Sequence, residues 1–146
     1  MSASNGFETD ILELIFQNLA IPWIGDAAGL QPAAANGSLF ISLHTADPGE
    51  AGSQSTSEAG YTSYARVAVG RNTSAWSVSS NTVTNLAAIT FPAATGGSAT
   101  VTHFGIGSNT SGAGYLLFKG ALGASLAVST GITPQIPAAN LVIGVE

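Results

Sequence analysis

Ser38–Val69 reads SLFISLHTADPGEAGSQSTSEAGYTSYARVAV, and its first residues decide the fold class. Leu39, Ile41 and Leu43 alternate with Phe40, Ser42 and His44, which is the period of a strand with one strongly apolar face. A polar loop over residues 46–60 follows, opened by Asp47-Pro48-Gly49, a turn sequence in which Asp precedes Pro and Gly frees the backbone. The chain then returns to alternation in SYARVAV, with Ala65, Val67 and Val69 on one face.

Downstream, the same character repeats. AWSVS, TVTNLAAITF, ATVTHFGIG, GYLLFKGAL, SLAVS, GITPQI and NLVIGV are short runs rich in Val, Ile, Thr and Phe. Turn sequences such as GG, SNTSGAG, STG and PAAN separate them. No helical pattern alternates with these runs, so a parallel α/β sheet is excluded. The reading is all-β: an antiparallel β-sandwich or jelly roll.

Upstream, residues 8–20 (ETDILELIFQNLA) predict the chain's helix. Ile11, Leu12, Ile15, Phe16 and Leu19 recur at three- and four-residue spacing, and Glu8, Asp10 and Glu13 sit where the helix dipole favours anions. Pro22 ends it. Residues 21–37 hold two Pro and three Gly and read as an extended arm, with Trp23 as an apolar anchor. The organisation is therefore a helix and docking arm over 1–37 and a β-sandwich domain over 38–146. Helix and arm supply the candidate partner-docking residues Ile11, Leu12, Ile15, Phe16, Leu19 and Trp23.

Composition narrows the function. Of 146 residues only 8% are charged, where soluble domains average about 25%. A surface with so little charge is one that partners cover, which points to an oligomer or a component of a larger assembly. The net charge is −5 and the basic residues are Arg66, Arg71 and Lys119. No basic stripe is available to neutralise phosphates or an anionic membrane, so neither nucleic acid nor membrane is an expected partner. With no Cys there is no disulfide framework. The acidic start MSASNGFETD lacks the basic residues of a secretory signal.

Catalytic chemistry is thin. His44 and His103 lie in predicted strands without metal-ligand spacing and read as hydrogen-bonded strand histidines. His44 with Asp47 and the serines sketches a dyad for a small hydrolase, but no nucleophile elbow is present. Asp47, Glu50 and Glu58 match no calcium loop. After Glu58 no acid occurs before Glu146, which leaves the β region without a carboxylate pair for acid–base work. Gly105–Gly114 has the glycines of a phosphate-binding loop without its lysine or helix, and reads as a turn. No catalytic residue, cofactor or metal is expected. Tyr61, Tyr64 and Trp76 are candidate glycan contacts through ring stacking, against the commoner use of such rings in cores and interfaces.

The order of blocks in residues 38–136 carries a resemblance. LFISLHTADPGEAG, YTSYARVAV, WSVS, AITFPAATGG and GAGYLLFKGAL, preceded by a helix, resemble the short tailed-bacteriophage proteins labelled phage tail fibre proteins. The arm over residues 21–37 is longer than in that family. The resemblance implies a non-catalytic virion component assembled in the bacterial cytoplasm, with no functional residues to carry over. Its partners would be copies of itself, as a trimer, and other virion proteins such as the major capsid or tail proteins. Without heptads or shaft repeats, the chain suits a capsid decoration (cement) protein or a tail-fibre, collar or baseplate module. A host-glycan-binding module is the alternative. In this setting the loop over 46–60 is expected to point outward or to pack against an adjacent subunit.

Overall fold

A computed structural model describes residues Ser2–Val145. The chain is mostly β-structure with one N-terminal helix, α1 (Asn5–Leu12), which continues into a π-helical turn at Glu13–Gln17. The strands are β1 (Ser38–His44), β2 (Val67–Gly70), β3 (Trp76–Ser79), β4 (Thr82–Asn85), β5 (Ile89–Thr90), β6 (Ser98–Gly107), β7 (Leu116–Ser129), β8 (Gln135–Ile136) and β9 (Val142–Gly144). They form sheets ordered β2-β1-β6-β7, β3-β4-β9 and β5-β8, and among the described residues none closes into a barrel.

Contacts group the chain into two units, which interleave along the sequence. The first comprises the chain up to Ser38, Gly70–Ala88 and the segment from Ile136; the second comprises Leu39–Val69 and Ile89–Gln135. Strands β3, β4 and β9 group with the helix and arm in the first unit.

In the first unit, the apolar stripe of the helix explains its packing. Leu12 and Phe16 are fully buried, and the Phe16 ring meets Trp76 edge-on at 4.9 Å. Val83 pairs with Ile143 across β4 and β9 and adds to this core. The helix starts earlier and ends earlier than the sequence spacing suggests. Asn18 takes a left-handed conformation, and the N–H groups of Asn18 and Leu19 both reach the Glu13 carbonyl. That closes the helix before Pro22 is reached.

In the second unit, β1 and β6 run antiparallel, with Ser42 opposite Gly105 and His44 opposite His103. Leu39, Ile41, Leu43, Phe104 and Ile106 are buried, as the alternation in β1 predicts. Ser42 and His44, on the polar face, are buried as well, because the loop over 46–60 folds back across that face. The loop's inner side packs on this face through Gln54 and Ala59, while Ala46, Asp47, Glu50, Ala51, Ser55, Ser57 and Gly60 are exposed.

Candidate functional site

The loop over 46–60 is held at both ends by backbone pairing to the end of β1. Thr45 donates to Ser57 O at 2.8 Å and Ala59 donates to Leu43 O at 2.8 Å. Asp47 Oδ1 accepts the Gly49 N–H at 2.9 Å, the turn predicted from Asp-Pro-Gly. Between these anchors Gln54 plunges inward and is fully buried. Its amide oxygen accepts the Asn109 N–H at 2.9 Å, its amide nitrogen donates to Phe40 O, and its backbone N–H donates to Ala113 O at 2.8 Å. Gly107 makes this possible. A Cβ there would collide with the Gln54 side chain and the Tyr115 carbonyl.

His44 is buried beside Gln54's layer. Its Nδ1 lies 2.8 Å from Thr56 O, which only accepts, so Nδ1 carries the proton. Nε2 then accepts from Ser42 Oγ at 2.8 Å. Burial, the largest influence, pushes the His44 pKa below its ordinary 6.5 and keeps the ring neutral. A serine hydroxyl donating to a histidine nitrogen is the geometry of a nucleophile and its base. Here both side chains are fully enclosed, and no substrate reaches them. The pair stitches the loop to the sheet instead.

A charged cluster closes the loop's far end. Arg66 Nε and Nη2 bind Glu58 Oε1 and Oε2 at 2.7 and 2.8 Å, a bidentate pair. The remaining donors reach the carbonyls of Asn109 at 2.9 Å and Gly112 at 2.6 Å, tying the turn between β6 and β7 to the loop. The bond to Glu58 raises the Arg66 pKa still further. Tyr64 donates to Glu58 at 2.9 Å and accepts the Leu43 N–H at 3.0 Å. Burial above all raises the Tyr64 pKa, so it stays a neutral hydroxyl. On the other side Lys119 bridges Asp47 at 3.0 Å and Glu50 at 3.1 Å. No group of His, Asp and Glu among the described residues is arranged to hold a metal ion.

In the first unit, Arg71 and Asn18 do comparable work. Arg71 donates to Leu14 O and Ile15 O at 2.6 Å, satisfying carbonyls at the negative end of the helix. Asn18 pairs with both backbone groups of Ala33 at 2.9 Å and so pins the arm. An antiparallel bridge between Ile21 and Leu30 folds the arm back on itself. Trp23 donates to Asp10 at 2.7 Å and meets Phe7 edge-on at 6.1 Å.

The residues singled out from sequence separate into two classes. Leu12 and Phe16 belong to the unit's own core, and Ile11 and Ile15 are half-buried. Leu19 and Trp23 remain 39% and 59% exposed. Among the candidate glycan contacts, Trp76 is fully buried under Phe16, and Tyr61 is buried with its hydroxyl on Pro92 O. Tyr64 stacks on Phe91 and meets Tyr61 edge-on. Trp76 and Tyr61 are enclosed and present no face to a sugar, and Tyr64 is half-buried, so two of the three rings expected to stack on a glycan are taken up in cores. Gln54, Arg66 and Arg71 were not singled out. The one available signal for the last two was their rarity as basic residues.

Buried polar contacts here fasten loops to strands and a helix to an arm. The chain belongs to the family described as podophage GP4 fiber I protein gp80, whose family model matches residues 2–144. It is thus a non-enzymatic structural protein of the phage virion, of fibre type. No curated protein matches it.

Proposed function

We propose that this protein is a small β-sandwich-type module docked on the phage particle through the apolar surface of its arm, and that it associates with copies of itself. The observation that carries the docking reading is Trp23. The side chain is 59% exposed, yet it is fixed by Asp10 and Phe7 on an arm that Asn18 and the Ile21–Leu30 bridge hold in place. A large ring presented in a set orientation loses little freedom on binding, which is what interface anchors share. Leu19 and Leu30, 39% and 42% exposed, extend the apolar surface of the same unit. Other virion proteins, capsid or tail, are the partners this reading requires.

The test is incorporation into particles. Virions carrying Trp23→Ala with Leu30→Ser should contain far fewer copies than wild type by quantitative mass spectrometry, with the isolated variant still folded. Native occupancy would overturn the docking role. The wild-type copy number relative to the major capsid protein separates the finer alternatives. Hundreds of copies mark a capsid decoration; a few to a few dozen mark a fibre, collar or baseplate module. The host-glycan alternative now rests on Tyr115, 79% exposed, and predicts glycan binding that Tyr115→Ala removes.

A further inference from the structure

The dipeptide Asn-Gly occurs twice in this chain, at Asn5–Gly6 and at Asn36–Gly37, and all of these residues are exposed. An asparagine followed by glycine carries its own nucleophile. The glycine N–H, on losing its proton, attacks the side-chain amide carbon of the preceding residue, and no side chain on the glycine obstructs the five-membered ring that forms. The backbone decides whether that ring can close. Asn5 is the first residue of α1, and its carbonyl accepts Thr9 Oγ1 at 2.9 Å. Turning the Asn5–Gly6 peptide toward the side chain would break the first helical turn. Asn36 and Gly37 lie outside any helix or strand. Gly37 has φ +62°, with open space where a Cβ would stand, and its N–H donates to no group among the described residues. The contact that the Asn36 carbonyl makes, from Arg71 Nη1 at 3.4 Å, is longer than an ordinary hydrogen bond. Two side chains complete the arrangement. Asn18 Nδ2 donates to Asn36 Oδ1 at 3.3 Å, the oxygen that gains charge when the amide carbon is attacked. Arg71, anchored on Leu14 O and Ile15 O, sets a guanidinium beside the same residue. All of these residues belong to the first unit.

We propose that Asn36 is a self-modifying site, which the folded chain converts to aspartate and isoaspartate while Asn5 is spared. The Gly37 nitrogen bonds to Asn36 Cγ. The bond from Cγ to the side-chain nitrogen breaks, and that nitrogen leaves as ammonia with the proton that Gly37 gave up. Water then opens the cyclic imide at either carbonyl, so the step consumes water and needs no oxidant, reductant or cofactor. Both products carry a carboxylate beside Arg71, where the opposite charge favours it. The isoaspartate product also lengthens the backbone by a carbon just ahead of β1. This inference goes beyond the proposed function and makes no use of docking or self-association.

The test compares the two asparagines within one full-length wild-type protein. Samples are held at about pH 8.5, where base promotes loss of the glycine proton, either folded or unfolded in guanidinium chloride. Peptide mass spectrometry follows the gain of about 1 Da at each asparagine, and enzymatic methylation of isoaspartate identifies the rearranged product. Far-UV circular dichroism checks that the folded sample stays folded. In the unfolded chain both sites should convert at similar rates. In the folded protein Asn5 should convert at least roughly tenfold more slowly than Asn36, and Asn36 no more slowly than in the unfolded chain. The variant Asn36→Gln should abolish the gain in the peptide that holds residue 36 and leave the rate at Asn5 unchanged. A folded rate at Asn36 below its unfolded rate overturns the proposal. So does conversion at Asn5 that keeps pace with Asn36 in the folded protein, or a mass gain that survives Asn36→Gln.

Discussion

Replacing Arg66 with Ala tests whether the loop is held by its charged cluster. The Arg66 side chain is 2% exposed and Glu58 is 17% exposed. Removing one partner of a buried ion pair costs about 3–5 kcal/mol, because the other charge is left without compensation. Water reaches Glu58 more easily than it reaches Arg66, which moves the expectation to about 3 kcal/mol, at the low end of that range. The carbonyls of Asn109 and Gly112 lose donors too, but both bonds lie at the surface and add little. For a chain of this size, about 3 kcal/mol corresponds to a fall in Tm of roughly 10 °C. Urea denaturation followed by far-UV circular dichroism reads the change directly. The double variant Arg66→Met, Glu58→Gln should recover part of the loss, since neither residue is then a buried unpaired charge. A cost below about 1 kcal/mol for Arg66→Ala, the range of exposed ion pairs, would refute the view that this cluster closes the loop.

Two further outcomes follow from the polar layer beneath the loop. Gly107→Ala should destabilise the fold by about 2–3 kcal/mol, because the added methyl meets the Gln54 side chain and the Tyr115 carbonyl backbone; chemical denaturation measures it, and a neutral result would contradict the packing. The folded protein keeps His44 neutral while the unfolded chain takes up a proton near pH 6.5. The contribution of His44 is therefore full above that pH and is lost as pH falls toward the lowered folded value. Stability measured from about pH 7 to about pH 5 should fall with a steeper slope in wild type than in His44→Gln.

Much of the β-structure was legible because one-sided burial writes itself as alternation. Leu39, Ile41 and Leu43 announced β1, and the Thr- and Val-rich runs marked β3, β4 and β6. GYLLFKGAL and SLAVS read as separate runs, yet they form one strand, since Gly123 and its neighbours bulge from the ladder without ending it. The helix was visible from its stripe, but its end was not. A left-handed asparagine stops it, and nothing in periodicity distinguishes that Asn from any other. The polar face of β1 was misjudged for a related reason. Ser42, His44 and Gln54 are polar by type and buried by hydrogen bonding, and patterns of hydrophobicity carry no record of such partners. Aromatic residues misled in the opposite sense: Trp76 and Tyr61 could equally have been a binding surface or a core, and only packing decides between them.

The way Gln54 is seated bears on how this protein can be engineered. A serine- and glycine-rich stretch such as residues 51–60 invites use as a site for displaying foreign peptides on a particle. Yet the stretch is threaded through its own sheet, with Gln54 locked between β1 and the turn after β6. An insertion there would have to dislodge a fully enclosed side chain, whereas the exposed tip at 110–112 offers room. For display purposes, flexibility judged from composition selects the wrong loop.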